Sequence, residues 1–188
     1  WNANGQGQSL TEHAAELFED ILIFGKCHDY VDFPTTSVGV VSNIEYKNLG
    51  LKPYFARVSP VNLIGWELNY NNGFEDTTHI RITDHDSFVD EDWVERTREL
   101  VRVVYQDRIE LWGRPFTGIA HTSDTGDFEL LDTSENSLGY VPLQSAYSNK
   151  RGAYVSDPTL EDLAWLNLQH FQSSSDQHNI LHIARVPF

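Results

Sequence analysis

Asp124-Thr125-Gly126 is the triplet through which aspartic proteases supply a carboxylate that shares one proton with a second Asp. That chemistry needs an apolar strand before the triplet and small apolar residues after it. Here His121-Thr122-Ser123 precede it and Asp127 follows, and Asp-Thr-Gly-Asp is an ordinary turn sequence. We read it as a turn. His178 and His182 stand four positions apart, a spacing that sets two imidazoles on one helix face for Zn²⁺. Asp176 could add a ligand. Ile180, Leu181 and Ile183 predict a strand there instead, in which that spacing loses its use, so no metal site is expected.

Asp84-His85-Asp86 offers two carboxylates beside an imidazole, but it opens an acidic stretch, 84–95, that reads as a solvated excursion. Ser173-Ser174-Ser175 next to Asp176, with His170 and His178 nearby, holds the residue types of a serine nucleophile and its base. The Gly-x-Ser-x-Gly elbow that presents such a serine does not occur. These residues read as a polar helix face that hydrogen-bonds a neighbour. No Gly-rich phosphate loop occurs, and we expect no catalytic residue, cofactor or metal. Five Trp and eight Tyr keep one alternative open, an acidic aromatic-rich carbohydrate-binding module or hydrolase domain.

The 188 residues suit one domain. One Cys, Cys27, excludes an internal disulfide and Cys-rich zinc modules. No apolar run approaches the roughly 20 residues that cross a bilayer, so a soluble chain is expected. Thirteen Lys and Arg face 28 Asp and Glu, a formal net charge of -15. Proteins that grip nucleic acid concentrate basic residues; this acidity serves either solubility or a surface that DNA passes without being held. The chain has no Met, starts at Trp1 and finishes on an apolar segment, which predicts a piece of a longer chain.

The elements that must carry these residues follow from local pattern. Ser9 and Glu12 form a capping box opening a helix that Gly25 ends, with Leu10, Ala14, Leu17, Phe18, Ile21 and Leu22 on one face. Cys27–Phe33 reads as a strand. A second capping box, Ser42 to Glu45, opens a short helix closed by Gly50. Pro53–Val58 and Leu63–Tyr70 read as strands, and Asn71-Asn72-Gly73 turns the latter into Thr77–Thr83. Glu99–Tyr105 and Ile109–Trp112 make a second hairpin; Phe128–Leu131 and Tyr140–Leu143 are shorter strands. In the closing helix Asp157 is the N-cap and Pro158 the first helical position. Leu160, Leu163, Ala164, Leu168 and Phe171 form its buried stripe, and Ser173–Ser175 mark its end or a kink. This order predicts an α+β fold, a mainly antiparallel sheet with packed helices that ends in a long helix.

The closing segment also carries a resemblance. Asp162-Leu163-Ala164-x-Leu166-Asn167-x-x-His170-x-Gln172-Ser173-Ser174-Ser175-Asp176-x-x-Asn179-Ile180-Leu181-His182 resembles a subgroup of tailed-bacteriophage portal proteins, the head–tail connectors. Weaker pieces agree in order: the Ser9–Gly25 helix running into Tyr30-Val31-Asp32-Phe33-Pro34, then Gly50–Phe55, Ile64-Gly65-Trp66 and Gly139–Leu143. The match is loose from 84 to 137.

The resemblance implies a structural virion protein and no enzyme. Portal subunits form a ring of about a dozen copies at a capsid vertex, closed by head-to-tail contacts. Double-stranded DNA is packaged and ejected through its channel without sequence-specific binding. The implied partners are further copies of the chain, the terminase large subunit, head–tail adaptor proteins and the capsid protein; the implied location is the virion, with assembly in the host cytoplasm. Residues 1–150 would be wing-like, and 151–188 the channel-proximal helix and strand. On the closing helix Gln169, Gln172, Ser173, Asp176 and Gln177 are then the subunit-interface or channel candidates.

Overall fold

A computed structural model describes residues 2–33, 52–71, 73–89, 91–114 and 127–184. The fold is α+β, with antiparallel sheets and, among the described residues, two helices, of which the last is long. The expected short helix at 42–50 and the Asp124-Thr125-Gly126 turn lie outside the described residues.

Helix α1 spans Leu10–Phe24. Its capping box is formed: Glu12 N–H donates to Ser9 Oγ (3.2 Å) and Ser9 N–H donates to Glu12 Oε2 (2.8 Å). Two of the free donors at the helix start are thereby satisfied. Gly25 ends the helix at φ 74, the left-handed conformation that glycine adopts without steric penalty. Strand β1 (Lys26–Asp32) follows at once and pairs antiparallel with β2 (Tyr54–Val58) on one edge and β8 (Leu143–Tyr147) on the other.

The second sheet is a meander of five strands: β3 (Leu63–Asn71), β4 (Phe74–Val89), β5 (Glu95–Tyr105), β6 (Arg108–Gly113) and β7 (Glu129–Glu135). Its hairpins fall at the turn signals expected near Gly73 and Gln106-Asp107. The expected excursion at 84–95 is corrected. Residues 84–89 continue β4 and pair with 95–100 of β5, so the hairpin runs past its neighbours as a two-stranded ribbon. Cross-strand charge explains it: Asp86 lies opposite Arg98, and Arg98 donates to Asp86 at 2.9 Å. The two last expected strands are shifted along the chain to β7 and β8.

Core side chains come from both sheets. Tyr30 and Val58 meet Leu63, Ile80, Ile82 and Val104. A small hairpin, β9 (Lys150–Gly152) with β10 (Val155–Ser156), drives Tyr154 into the same cluster. Tyr154 sits at φ 57 and is held there by hydrogen bonds, its N–H to Tyr147 Oη (3.0 Å) and its own hydroxyl against Thr77 Oγ1 (2.9 Å).

The closing helix, α2, spans Glu161–Ala184 without a break at the serines. The strand expected around Ile180 and Ile183 is therefore corrected: these positions belong to the helix, and Ser173–Ser175 neither end nor split it. Twenty-four residues make a rod of about 36 Å. The buried stripe is corrected too. No residue of α2 is buried; Leu163 is 60% and Phe171 70% exposed. Helical spacing implies a neighbour, and among the described residues none covers this helix.

Candidate functional site

The candidate site is α2 and the joint from which it projects. Gly25, the last residue before β1, is pressed against the start of that segment: a Cβ there would collide with the backbone carbonyl of Asp157. Ser148 N–H donates to the Gly25 carbonyl (2.9 Å), and its hydroxyl reaches both Gly25 O (3.2 Å) and Asp157 O (3.4 Å). The expected cap is corrected here. Asp157 does not cap α2; its carboxylate accepts from Arg151 Nε (2.5 Å) and Asn149 Nδ2 (3.2 Å) of the β9 region. Thr159 and Leu160 then form a turn, closed by the Glu161 N–H donating to the Pro158 carbonyl (3.4 Å), and the helix begins at Glu161. The acidic cap residue is spent on fixing the helix to the body, because a guanidinium donor lies within reach.

Glu161 and Asp162 fall in the first turn, where negative charge meets the positive end of the helix dipole. Of the sequence candidates, Gln169, Gln172, Ser173 and Asp176 share one side of the helix, at spacings of three and four, and Gln177 stands at its edge. All five are exposed. Trp165 and Leu166 precede them on that side, and Ile180 and Ile183 follow. His178 and His182 share the opposite side, a result of the unbroken helix, and Asp176 points away from them. Among the described residues no group of three or more His, Cys, Asp or Glu is placed to hold a metal ion. Ser174 and Ser175 lie on the histidine side and Ser173 on the other, so the serine run presents no single face. Asp84-His85-Asp86 lies on β4, where Asp86 is paired to Arg98.

The body that carries α2 contains polar groups with perturbed protonation. His28 is fully buried; burial first, and the Lys26 ammonium second, push its imidazole down to about 4. Its Nδ1 lies 2.7 Å from Ser145 Oγ, and its Nε2 meets no partner among the described residues. Burial likewise raises Tyr30 to about 12. Lys26, held below its usual range by burial, donates to the Tyr154 carbonyl at 2.6 Å. On the other face of β1, Asp20 of α1 is 1% exposed and receives two bonds from Arg57, Nε and Nη2, each 2.7 Å. His13 of α1 lies 3.1 Å from Asp29. Sequence reading missed these groups. The available signal was His13 and Asp20, seven positions apart and so on one side of α1, beside rather than within its apolar stripe.

The family model for a domain of unknown function (DUF4055) matches residues 159–188. That span contains α2 and the turn that leads into it. No curated protein matches the chain.

Proposed function

We propose that this chain belongs to a portal-type subunit, a structural protein that assembles into a ring at a capsid vertex and lets double-stranded DNA through. The observation that carries the reading is that the segment holding the portal-like motif, 160–187, contains a helix, Glu161–Ala184, that is an unburied rod. A helix whose apolar side chains all face water needs partners to cover them. The formal charge of -15 also suits a wall past which a polyanion slides, since phosphate grip requires clustered Lys and Arg.

In this reading the chain performs no catalysis. The terminase large subunit docks on the ring and supplies ATP hydrolysis, adaptor proteins follow it, and the capsid protein surrounds it. Gln169, Gln172, Ser173, Asp176 and Gln177 face a neighbouring subunit or the channel. Negative-stain electron microscopy with native mass measurement on the complete reading frame tests this. Closed rings with a central hole are the expected result. A monomer that persists at high concentration would overturn the reading and return attention to glycan arrays and hydrolase screens.

A further inference from the structure

His178 and His182 are of no use as a pair in a strand, where four residues span about 13 Å. The structure places them instead on one unbroken helix, Glu161–Ala184. Four residues then advance about 6 Å along the axis and roughly 40° around it, so the two rings leave the same side, one turn apart. Both histidines are exposed. Among the described residues neither ring has a hydrogen-bond or ion-pair partner. Two unengaged imidazoles at this spacing are the pair of nitrogen ligands that a helix offers to a single metal ion.

We propose that His178 and His182 form a two-histidine site for a divalent transition metal, open to solvent on its outer side, and that the bound ion clips the second half of α2. The class of ion follows from the donors. Neutral imidazole nitrogen suits Zn²⁺, Ni²⁺ and Cu²⁺, whereas Mg²⁺ and Ca²⁺ take oxygen ligands. The carboxylate nearest in sequence, Asp176, lies on the other side of the helix and adds no oxygen. Among the described residues no larger group of His, Cys, Asp or Glu is placed for a metal, so the pair acts alone and water fills the remaining positions. Of the three ions Cu²⁺ is held most tightly.

The place of the pair gives the ion its consequence. No residue of α2 is buried, so tertiary packing does not hold this helix together. Unsupported helices are marginal in water. The second half of α2 is also the weaker one: Ser173, Ser174, Ser175, Asn179, Ile180 and Ile183 all have modest helix propensity. An ion shared by His178 and His182 fixes one turn of that half. His182 stands in the last turn of the helix, where positive charge meets the negative end of the helix dipole. The ion therefore binds the helical form better than the frayed one and shifts the equilibrium toward helix by mass action.

Isothermal titration calorimetry of the chain with ZnCl₂, NiCl₂ and CuSO₄ reads the site, with MgCl₂ as the control. His178→Gln and His182→Gln remove one ligand each; both side chains are exposed and Gln is a good helix former, so α2 persists. One ion per chain that depends on both histidines is expected, tightest for Cu²⁺, and MgCl₂ should give no heat that depends on them. Each substitution should weaken binding by more than the roughly 10- to 100-fold that an outer-sphere partner carries. His85→Gln, on β4, should leave it unchanged. Hydrogen exchange reads the clip: saturating Zn²⁺ should slow exchange across 174–184 in the parent and in neither ligand variant. Uptake that is equal in the parent and both ligand variants would overturn the proposal, as would no uptake, a loss confined to one variant, or uptake that leaves exchange across 174–184 unaltered. Half an ion per chain, with dimers in sedimentation velocity, would show an ion bridging two copies and overturn the single-helix site. None of these outcomes depends on the ring reading.

Discussion

The two helices among the described residues solve the same problem in opposite ways. Helix α1 is tied to the body by charge: it buries Asp20 against the Arg57 guanidinium and His13 against Asp29, while Leu10, Phe18 and Ile23 stay exposed. Helix α2 buries nothing and, among the described residues, is fixed to the body at the joint where Gly25, Ser148 and Arg151 meet Asp157. An apolar residue on a helix therefore does not reveal which way the helix faces. What decides is whether a complementary surface exists, and for α1 that surface is a pair of strands with Arg57 and Asp29 on the outer side.

That contrast can be broken at graded cost. The largest effect is expected in the core between the sheets. Ile80 is fully buried, and Ile80→Ala should lower unfolding free energy by about 2–5 kcal/mol, read from the urea midpoint. The second test uses pH. His28 is held at about 4 in the folded state against an ordinary value of 6.5. The unfolded chain therefore takes up a proton that the folded chain refuses. Stability is complete above 6.5, falls as pH drops from 6.5 toward 4, and by pH 4 this residue should have removed about 3 kcal/mol. Equilibrium unfolding at pH 7 and pH 4.5 should show a smaller acid loss in His28→Gln than in the parent; an identical loss in both would remove His28 as the cause.

The third test addresses the anchoring of α1. Asp20→Ala leaves Arg57 without its buried partner. A fully buried pair broken in this way costs more, but Arg57 is 34% exposed and can turn to water, so a loss of about 2 kcal/mol is expected. Hydrogen exchange should locate the loss in α1 and spare the five-stranded sheet. The smallest effect belongs to α2. Leu163→Ala removes a side chain that is already in water, and the stability of the isolated chain should change by less than about 0.5 kcal/mol in a thermal or urea melt. A loss near that of Ile80→Ala would mean that α2 is packed on something and would undo the comparison.

Much of the body was legible residue by residue. Ser9 with Glu12 and the closing Gly25 bound α1, because capping is chemistry between neighbours in the chain. Gly73 and Gln106-Asp107 marked two hairpins for the same reason. The ribbon at 84–89 was not legible: its acidic residues look like loop until Arg98 is known to lie opposite Asp86. Nor was the fate of Asp157, whose side chain has the right type for a cap but a stronger partner in Arg151. The candidate face on α2 was legible as spacing, since Gln169, Gln172, Ser173 and Asp176 recur at three and four. The second half of the helix was not, because Ile180, Leu181 and Ile183 have the composition of a strand.

What the amino-acid sequence determined by itself is therefore local: where helices start, where hairpins turn, how acidic the surface is, and which polar residues share a side of α2. Each depends on residues a few positions apart. The tertiary structure decided which surfaces are covered. It turned Asp20 inward and Phe18 outward, joined two charged strands into a ribbon, and left a rod of 24 residues uncovered. Burial is a property of pairs of surfaces distant along the chain, so no single stretch of sequence contains it.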